Sequence, residues 1–322
     1  MSDTPVRWGI LGAANFAREF MAPAIHAAKG AELTALATSS VEKAAGFRAI
    51  SSGLKVHQDY EALLADPEID AVYVPLPNHM HVDWSIKALE AGKAVLCEKP
   101  VGMDVAEIDT LIAARDRAGL LAAEAYMIVQ HPQWQRARQL LREGAIGDLR
   151  HVSAAFSYFN DDANNIRNQA DVGGGGLRDI GVYVMGGVRF VTGLEPEGLD
   201  YARVEMQDGY DVFADMSFRF PGFTYQGYTA IRMAPHQSYV FHGTKAVMSL
   251  NCPFNATVFD QAEVKISYPD QTIRVERFPG LNQYVLQVEA FGRSLMDGTA
   301  YAWPLEQARG TQKMIDMVLA EA

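Results

Sequence analysis

Five short apolar runs, VRWGIL (6–11), ELTALAT (32–38), AVYVPL (71–76), AVLCE (94–98) and LLAAEA (120–125), alternate with longer amphipathic stretches at the start of the chain. Runs that are apolar at nearly every position suit strands buried on both faces, and such strands belong in a parallel sheet flanked by helices. Between the runs, Ser40, Asp59 and Asp104 stand where helix N-caps belong, and Gly30, Gly92 and Gly119 stand where helices stop. This βαβ rhythm predicts a doubly wound α/β domain.

After Gly147 the pattern changes. LRHVSAAFSYF, YDVFADMSFRF, FTYQGYTAIRM, QSYVFHGTKAVMSL and EVKISYP are longer, alternate in polarity and are separated by turn residues. They predict antiparallel strands with one covered face. Helices are expected over 281–297 and 304–321. A chain of 322 residues exceeds the comfortable size of one core, so two domains are expected, with the crossover near Gly144–Gly147. On one face of FTYQGYTAIRM lie Phe223, Tyr225, Gly227, Thr229 and Ile231, an apolar set expected to seek a partner subunit unless the chain's own helices cover it.

The formal net charge of −11 disfavours nucleic acid and anionic membranes as partners and leaves a small molecule as the expected ligand. The two cysteines, Cys97 and Cys252, form no spaced framework, and the N-terminus lacks the basic and apolar regions of a secretory signal. A cytoplasmic location is expected. His79 and His81 have no further clustered ligands to complete a metal site, so no metal is expected.

In WGILGAANFA the first strand runs into Gly12, with Ala14 and Ala17 where a dinucleotide fingerprint places its later glycines. The tight turn and the helix amides behind it suit a pyrophosphate, with Ala13, Ala14, Asn15 and Phe16 around it. An NAD-type acid is missing from the end of the second strand, since Glu32 precedes that strand. Ser39, Ser40 and Lys43 stand at its end instead, hydroxyls and a cation suited to a ribose 2′-phosphate. NADP(H) is therefore expected over NAD(H), which remains the alternative. The next two strands deliver Pro75, Leu76, Asn78 and His81, and then Glu98, Lys99 and Pro100, to the same rim; whether the Lys99-Pro100 bond is cis is open.

The last motif is GGGGLRDIGVYV (173–184). Four glycines imply a sharply bent or closely approached backbone. Asp179 and Tyr183 follow at i, i+4 spacing, an acid and a phenol on one helical face. Gly181, Gly186 and Gly187 inside that helix imply close packing against another element.

Taken together and in order, WGILGAAN, PNHMHVDWSIKALEAGKAVLCEKP, EAYMIVQHPQW and GGGGLRDIGVYV resemble the glucose–fructose oxidoreductase, inositol dehydrogenase and MocA family over nearly the whole chain. The resemblance implies an N-terminal Rossmann domain (1–125) and a C-terminal α+β domain (126–322). The second domain would carry a large, open, mostly antiparallel sheet that binds substrate and joins a homodimer or homotetramer. It implies hydride transfer between a nicotinamide and a sugar or cyclic polyol. Lys99 resembles the catalytic lysine and Asp179 the substrate-contacting acid. Tyr183 replaces the histidine of the inositol dehydrogenase branch and points to the aldose (D-xylose) and dihydrodiol dehydrogenase branch. Tyr126, His131, Arg167 and Asn168 join Asp179 and Tyr183 as expected substrate contacts. The alternatives are a trans-dihydrodiol dehydrogenase-like enzyme and a non-catalytic cofactor or sugar sensor on the same fold. Ala14 departs from the family's frequent glycine, and Ile128 and Val129 stand where the substrate pocket can differ.

Overall fold

The computed structural model describes residues 4–256 and 258–322. The chain forms two compact units, one of residues Met1–Met127 with Asn282–Ala308, the other of Ile128–Leu281 with Arg309–Ala322. In the first, strands β1 (Val6–Leu11), β2 (Ala31–Ala37), β3 (Lys55–His57), β4 (Ala71–Val74), β5 (Ala94–Cys97) and β6 (Ala122–Glu124) make one parallel sheet in the order β3-β2-β1-β4-β5-β6. Helices α1 (Ala22–Ala27), α2 (Val41–Arg48), α3 (Tyr60–Leu64), α4 (His81–Glu90) and α5 (Val105–Ala118) connect them. All four residues of β4 and of β5 are buried, as their unbroken apolar runs require. Ser40, Asp59 and Asp104 cap α2, α3 and α5 by accepting from the backbone N–H three residues on, and Gly119 ends α5 in the left-handed region. Strand β3 is absent from the sequence reading because Lys-Val-His is too short and too polar to register as a buried run.

The second unit begins with α6 (Pro132–Arg142) and β7 (Leu149–Phe159), followed by α7 (Val182–Thr192). Strands β8 (Gly198–Gln207), β9 (Tyr210–Phe220), β10 (Phe223–Ala230), β11 (Arg232–Gly243), β12 (Val247–Asn251), β13 (Glu263–Ser267) and β14 (Ile273–Arg277) complete an eight-stranded sheet. Its order is β14-β13-β12-β11-β7-β10-β9-β8, antiparallel except for β7 beside β10. Trp134 of α6 is fully buried, donates its indole N–H to Pro253 O at 2.6 Å and packs edge-on against Tyr239. A Cβ on Gly187 of α7 would stand 2.5 Å from the Trp134 ring, so the close packing expected of this glycine-containing helix is what the structure shows. Truncating a tryptophan so buried to alanine costs roughly 3–5 kcal/mol.

Two expectations need correction. Helices α8 (Gln283–Asp297) and α9 (Leu305–Leu319) form where expected, but Asn282–Ala308 packs with the first unit, not with the substrate domain to which the sequence assigns it. Phe291 packs on Trp8, and Trp303 stacks on Tyr126. The β10 face carrying Phe223, Tyr225, Thr229 and Ile231 is buried by the chain itself, with the Tyr225 hydroxyl donating to Val184 O of α7. The uncovered face is the opposite one, bearing Thr224, Gln226 and the stacked pair Phe213 and Tyr228. Among the described residues no helix is long and apolar enough to cross a membrane.

Candidate active site

In the first unit the strand order reverses between β1 and β4, and ligands of such sheets bind beyond the strand ends at that point. Gly12 sits there with φ +94°, its N–H donating to Ala37 O at 3.0 Å. A Cβ at this position would stand 3.0 Å from Leu76 and 3.3 Å from the Tyr60 hydroxyl, so the turn has room for backbone alone. Ala13, Ala14 and Phe16 are half-buried, Asn15 is exposed, and a π-turn over Ala17–Met21 leads into α1. This cradle suits a pyrophosphate at a helix start.

At the end of β2, Ser39 and Lys43 are exposed, and Ser40 caps α2 by accepting from Lys43 N at 3.1 Å. Pro75 and Leu76 are buried and Asn78 is half-buried. His81 is 1 % exposed, with its ring nitrogens 2.8 Å from Pro100 O and 2.7 Å from Leu76 O. Burial pushes its pKa down to about 4, and the neutral ring, with one N–H to give to Pro100 O or Leu76 O, fills the space between the corners after β4 and β5. The expectation that His81 faces the rim is corrected on that account.

The Lys99-Pro100 bond is cis. Ahead of it, Glu98 accepts from the buried Tyr73 hydroxyl at 2.5 Å and from Lys99 N at 3.3 Å. Tyr284 of α8 also senses the Glu98 charge and sets its ring against Phe16. Lys99 itself is half-buried at the strand end. The sequence reading overlooks both tyrosines, since a strand residue and a helix some two hundred positions away share no local motif.

Tyr126 also lies in this unit. Its ring is fully buried and stacked on Trp303 at 4.4 Å, which removes it from the expected substrate contacts. Glu124 beside it is equally buried, accepting from Val101 N and the Trp303 indole.

In the second unit the glycine run has a definite use. Gly175 has φ +111°, and the space a Cβ would need is occupied by the carboxylate of Asp211 from β9. Asp211 accepts from Leu177 N at 2.7 Å at the start of the turn Leu177–Gly181, and burial pushes its pKa up to about 6. Gly174 lies against the carbonyl of Arg167, which also accepts from Gly175 N at 2.9 Å. The glycines therefore bring the 167–169 segment and Asp211 against the helix start.

What this arrangement delivers is an ion pair, with Arg167 Nε 2.8 Å from Asp179 Oδ2. The Tyr158 hydroxyl donates to the same oxygen at 2.6 Å. Tyr158 is absent from the sequence reading, although its alternation with Phe156 in β7 places it on the helix-facing side. Tyr183 lies beyond the π-turn over Leu177–Gly181, 5 % exposed, its ring 5.9 Å from Phe156 and 5.6 Å from Phe254. The Asp179 charge holds the Arg167 guanidinium more firmly protonated, against the burial that opposes it.

Two expected contacts also have partners within the chain. Asn168 donates to Asp162 O at 2.8 Å and accepts from Arg232, organising its own loop. His131 is 1 % exposed and caps α6 by accepting from Gln133 N at 3.1 Å, and burial pushes its pKa down to about 4. A base held neutral that deep is poorly placed to take a proton near neutral pH.

A doubly wound parallel sheet with a glycine turn at its switch point suits a dinucleotide-dependent oxidoreductase. Residues 6–126 match the oxidoreductase family with an NAD-binding Rossmann fold, and residues 134–249 match the GFO/IDH/MocA C-terminal domain. The chain belongs to the GFO/IDH/MocA family of NAD(P)-dependent oxidoreductases. It is 36 % identical to the uncharacterized oxidoreductase ORF334 of Rhizobium meliloti, over 98 % of this chain and 97 % of that one. It is 30 % identical to D-xylose 1-dehydrogenase (NADP(+)) 2 of Haloferax volcanii, over 98 % and 97 %. Among solved structures it resembles KijD10, a 3-ketoreductase from Actinomadura kijaniata in complex with NADP and TDP-benzene, with 31 % identity, a TM-score of 0.90 and 98 % of each chain covered.

Proposed function

We propose that the protein is an NADP(H)-preferring enzyme that oxidises an aldose or cyclic polyol, or reduces the matching carbonyl, with Lys99, Asp179 and Tyr183 as its catalytic set. The observation that carries this reading is the Asp179 carboxylate, fixed by two donors one turn ahead of Tyr183. A sensor on the same fold would have no chemical use for a lysine at the strand end together with this acid and phenol. A dihydrodiol dehydrogenase-like activity is the second candidate within the same chemistry.

Bound nicotinamide supplies the hydride acceptor or donor. Gly12, Ala13, Ala14, Asn15 and Phe16 would hold the pyrophosphate turn, with Pro75, Leu76, Asn78 and Glu98 along the rim. Asp179 would accept a hydrogen bond from a substrate hydroxyl and so orient the ring. In the oxidative direction the hydroxyl proton passes to Tyr183, and Lys99 donates to the reacting oxygen. A panel of aldoses, polyols and aromatic diols, each with NADP+ and NAD+, tests the reading by absorbance of the reduced nicotinamide. Absence of turnover with every member would overturn it.

The cofactor preference rests on Ser39, Ser40 and Lys43 at the end of β2 and on the missing acid there. Lys43→Ala should weaken NADP(H) binding about tenfold, the loss of one charged contact, and leave NAD(H) binding unchanged. Equal losses for both cofactors, read by nicotinamide fluorescence, would remove the argument.

The uncovered sheet face, with Tyr201 of β8 half exposed and Phe213 stacked on Tyr228, is the proposed surface for a homodimer or homotetramer. Light scattering at micromolar concentration should return at least twice the chain mass, and a monomer would refute this. The two buried, unpaired cysteines suit the reducing cytoplasm proposed as its location.

A further inference from the structure

We propose that Tyr158 is a positioning residue of the active site, acting with Arg167 to aim the Asp179 carboxylate at a substrate hydroxyl. The proposal rests on Asp179 being the substrate-contacting acid. Three separate segments meet at one oxygen: Tyr158 from β7, Arg167 from the turn Ile166–Asn168, and Asp179 from the π-turn before α7. Asp179 Oδ2 takes the Arg167 Nε–H at 2.8 Å and the Tyr158 O–H at 2.6 Å.

Two donors converging on one carboxylate oxygen from different directions do more than neutralise it. Either alone leaves the carboxylate free to turn about its Cβ–Cγ bond, whereas the pair sets the plane of the group and hence the direction of the other oxygen. The Asp179 side chain is only 11 % exposed, and a carboxylate so placed needs such partners.

Tyr158 is suited to this task and unsuited to proton transfer. Burial, and then the charge of Asp179, push its pKa up, so it keeps its proton and can only donate toward the carboxylate at working pH. Tyr183, the proposed proton carrier, is a different phenol with aromatic neighbours Phe156 and Phe254. The two tyrosines divide the work, one orienting and one exchanging a proton. The neighbouring loop is braced for the same purpose. Asn165 accepts from Arg167 N at 3.1 Å, and Gly175 N donates to Arg167 O at 2.9 Å, so the arginine's backbone is held from both sides.

The test is Tyr158→Phe, which keeps the ring and removes the hydroxyl. With D-xylose, D-glucose and myo-inositol as probes, KM for the best of them should rise about tenfold, the scale of one hydrogen bond to a charged group. The kcat should stay within about threefold, and NADP(H) affinity by nicotinamide fluorescence within about twofold, because one hydrogen bond to a bound substrate is at stake and no cofactor contact. A titration of the same probe followed by intrinsic fluorescence, without turnover, should show the same loss. Should Tyr158→Phe fail to fold, Arg167→Gln, which removes the other donor, carries the same expected rise in KM. An unchanged KM, or equal falls in kcat and cofactor affinity that mark a packing defect, would overturn the proposal. If the wild-type enzyme turns over none of the probes with either cofactor, the assignment of function falls and takes this proposal with it; a working wild type with an indifferent Tyr158→Phe removes this proposal alone.

Discussion

Lys99→Ala is expected to lower kcat by at least about 10²–10⁴-fold, and Tyr183→Phe by about the same factor, with cofactor affinity little changed. Oxidising an alcohol requires the hydroxyl proton to leave as hydride departs. A free phenol has a pKa of about 10, so only about one in a thousand is ionised at neutral pH. A nearby cation favours the phenolate, and Lys99 is the residue proposed for that role. Lys99 would also give a hydrogen bond to the reacting oxygen, so its loss should cost no less than the loss of the phenol. Steady-state rates across pH decide the matter. Near-normal turnover by Tyr183→Phe at every pH would make that tyrosine structural and leave Lys99 as the proton acceptor to be tested.

Gly175→Ala should destabilise the folded protein by about 2–6 kcal/mol, combining a backbone conformation costly to any L side chain with overpacking. The φ of +111° is one that alanine rarely adopts, and the methyl would occupy the position of an Asp211 carboxylate oxygen. Asp211 has little freedom to withdraw, because it accepts from Leu177 N and is itself 2 % exposed. Urea unfolding would show the loss as a lower midpoint. A change under about 0.5 kcal/mol, the range of an ordinary surface substitution, would mean that the loop yields.

The parallel sheet was legible because its strands are buried on both faces, so that hydrophobic runs alone reveal them, and only the short polar β3 escaped. The open sheet was legible as strands but not as faces. Alternation in FTYQGYTAIRM separates two sides without saying which one α7 covers, and the side read as free is the one beneath Val184. A similar limit governs the site. Motifs locate Lys99, Asp179 and Tyr183 along the chain, but Tyr126, His131 and His81 share those motifs and turn inward to stack, cap and tie. His131 carried a readable sign of this in the proline that follows it, since a residue ahead of a helix-starting proline occupies a capping position. Tyr158 and Asp211 lie 21 and 34 positions from the groups they bond, distances at which no local pattern connects residues.

The return of Asn282–Ala308 to the first unit bears on how the chain is made. Synthesis runs from the N-terminus, and domains commonly fold as they emerge. Here the nucleotide-binding half emerges first yet lacks Phe291 against Trp8, Trp303 against Tyr126 and Glu124, and Tyr284 against Phe16. These partners arrive only after the whole eight-stranded sheet has left the ribosome. Until then the early half keeps apolar surface and a buried-type carboxylate open to water, and a chain halted before residue 282 would stay in that state. Full assembly of the Rossmann half is thereby made conditional on completed translation of the eight-stranded sheet.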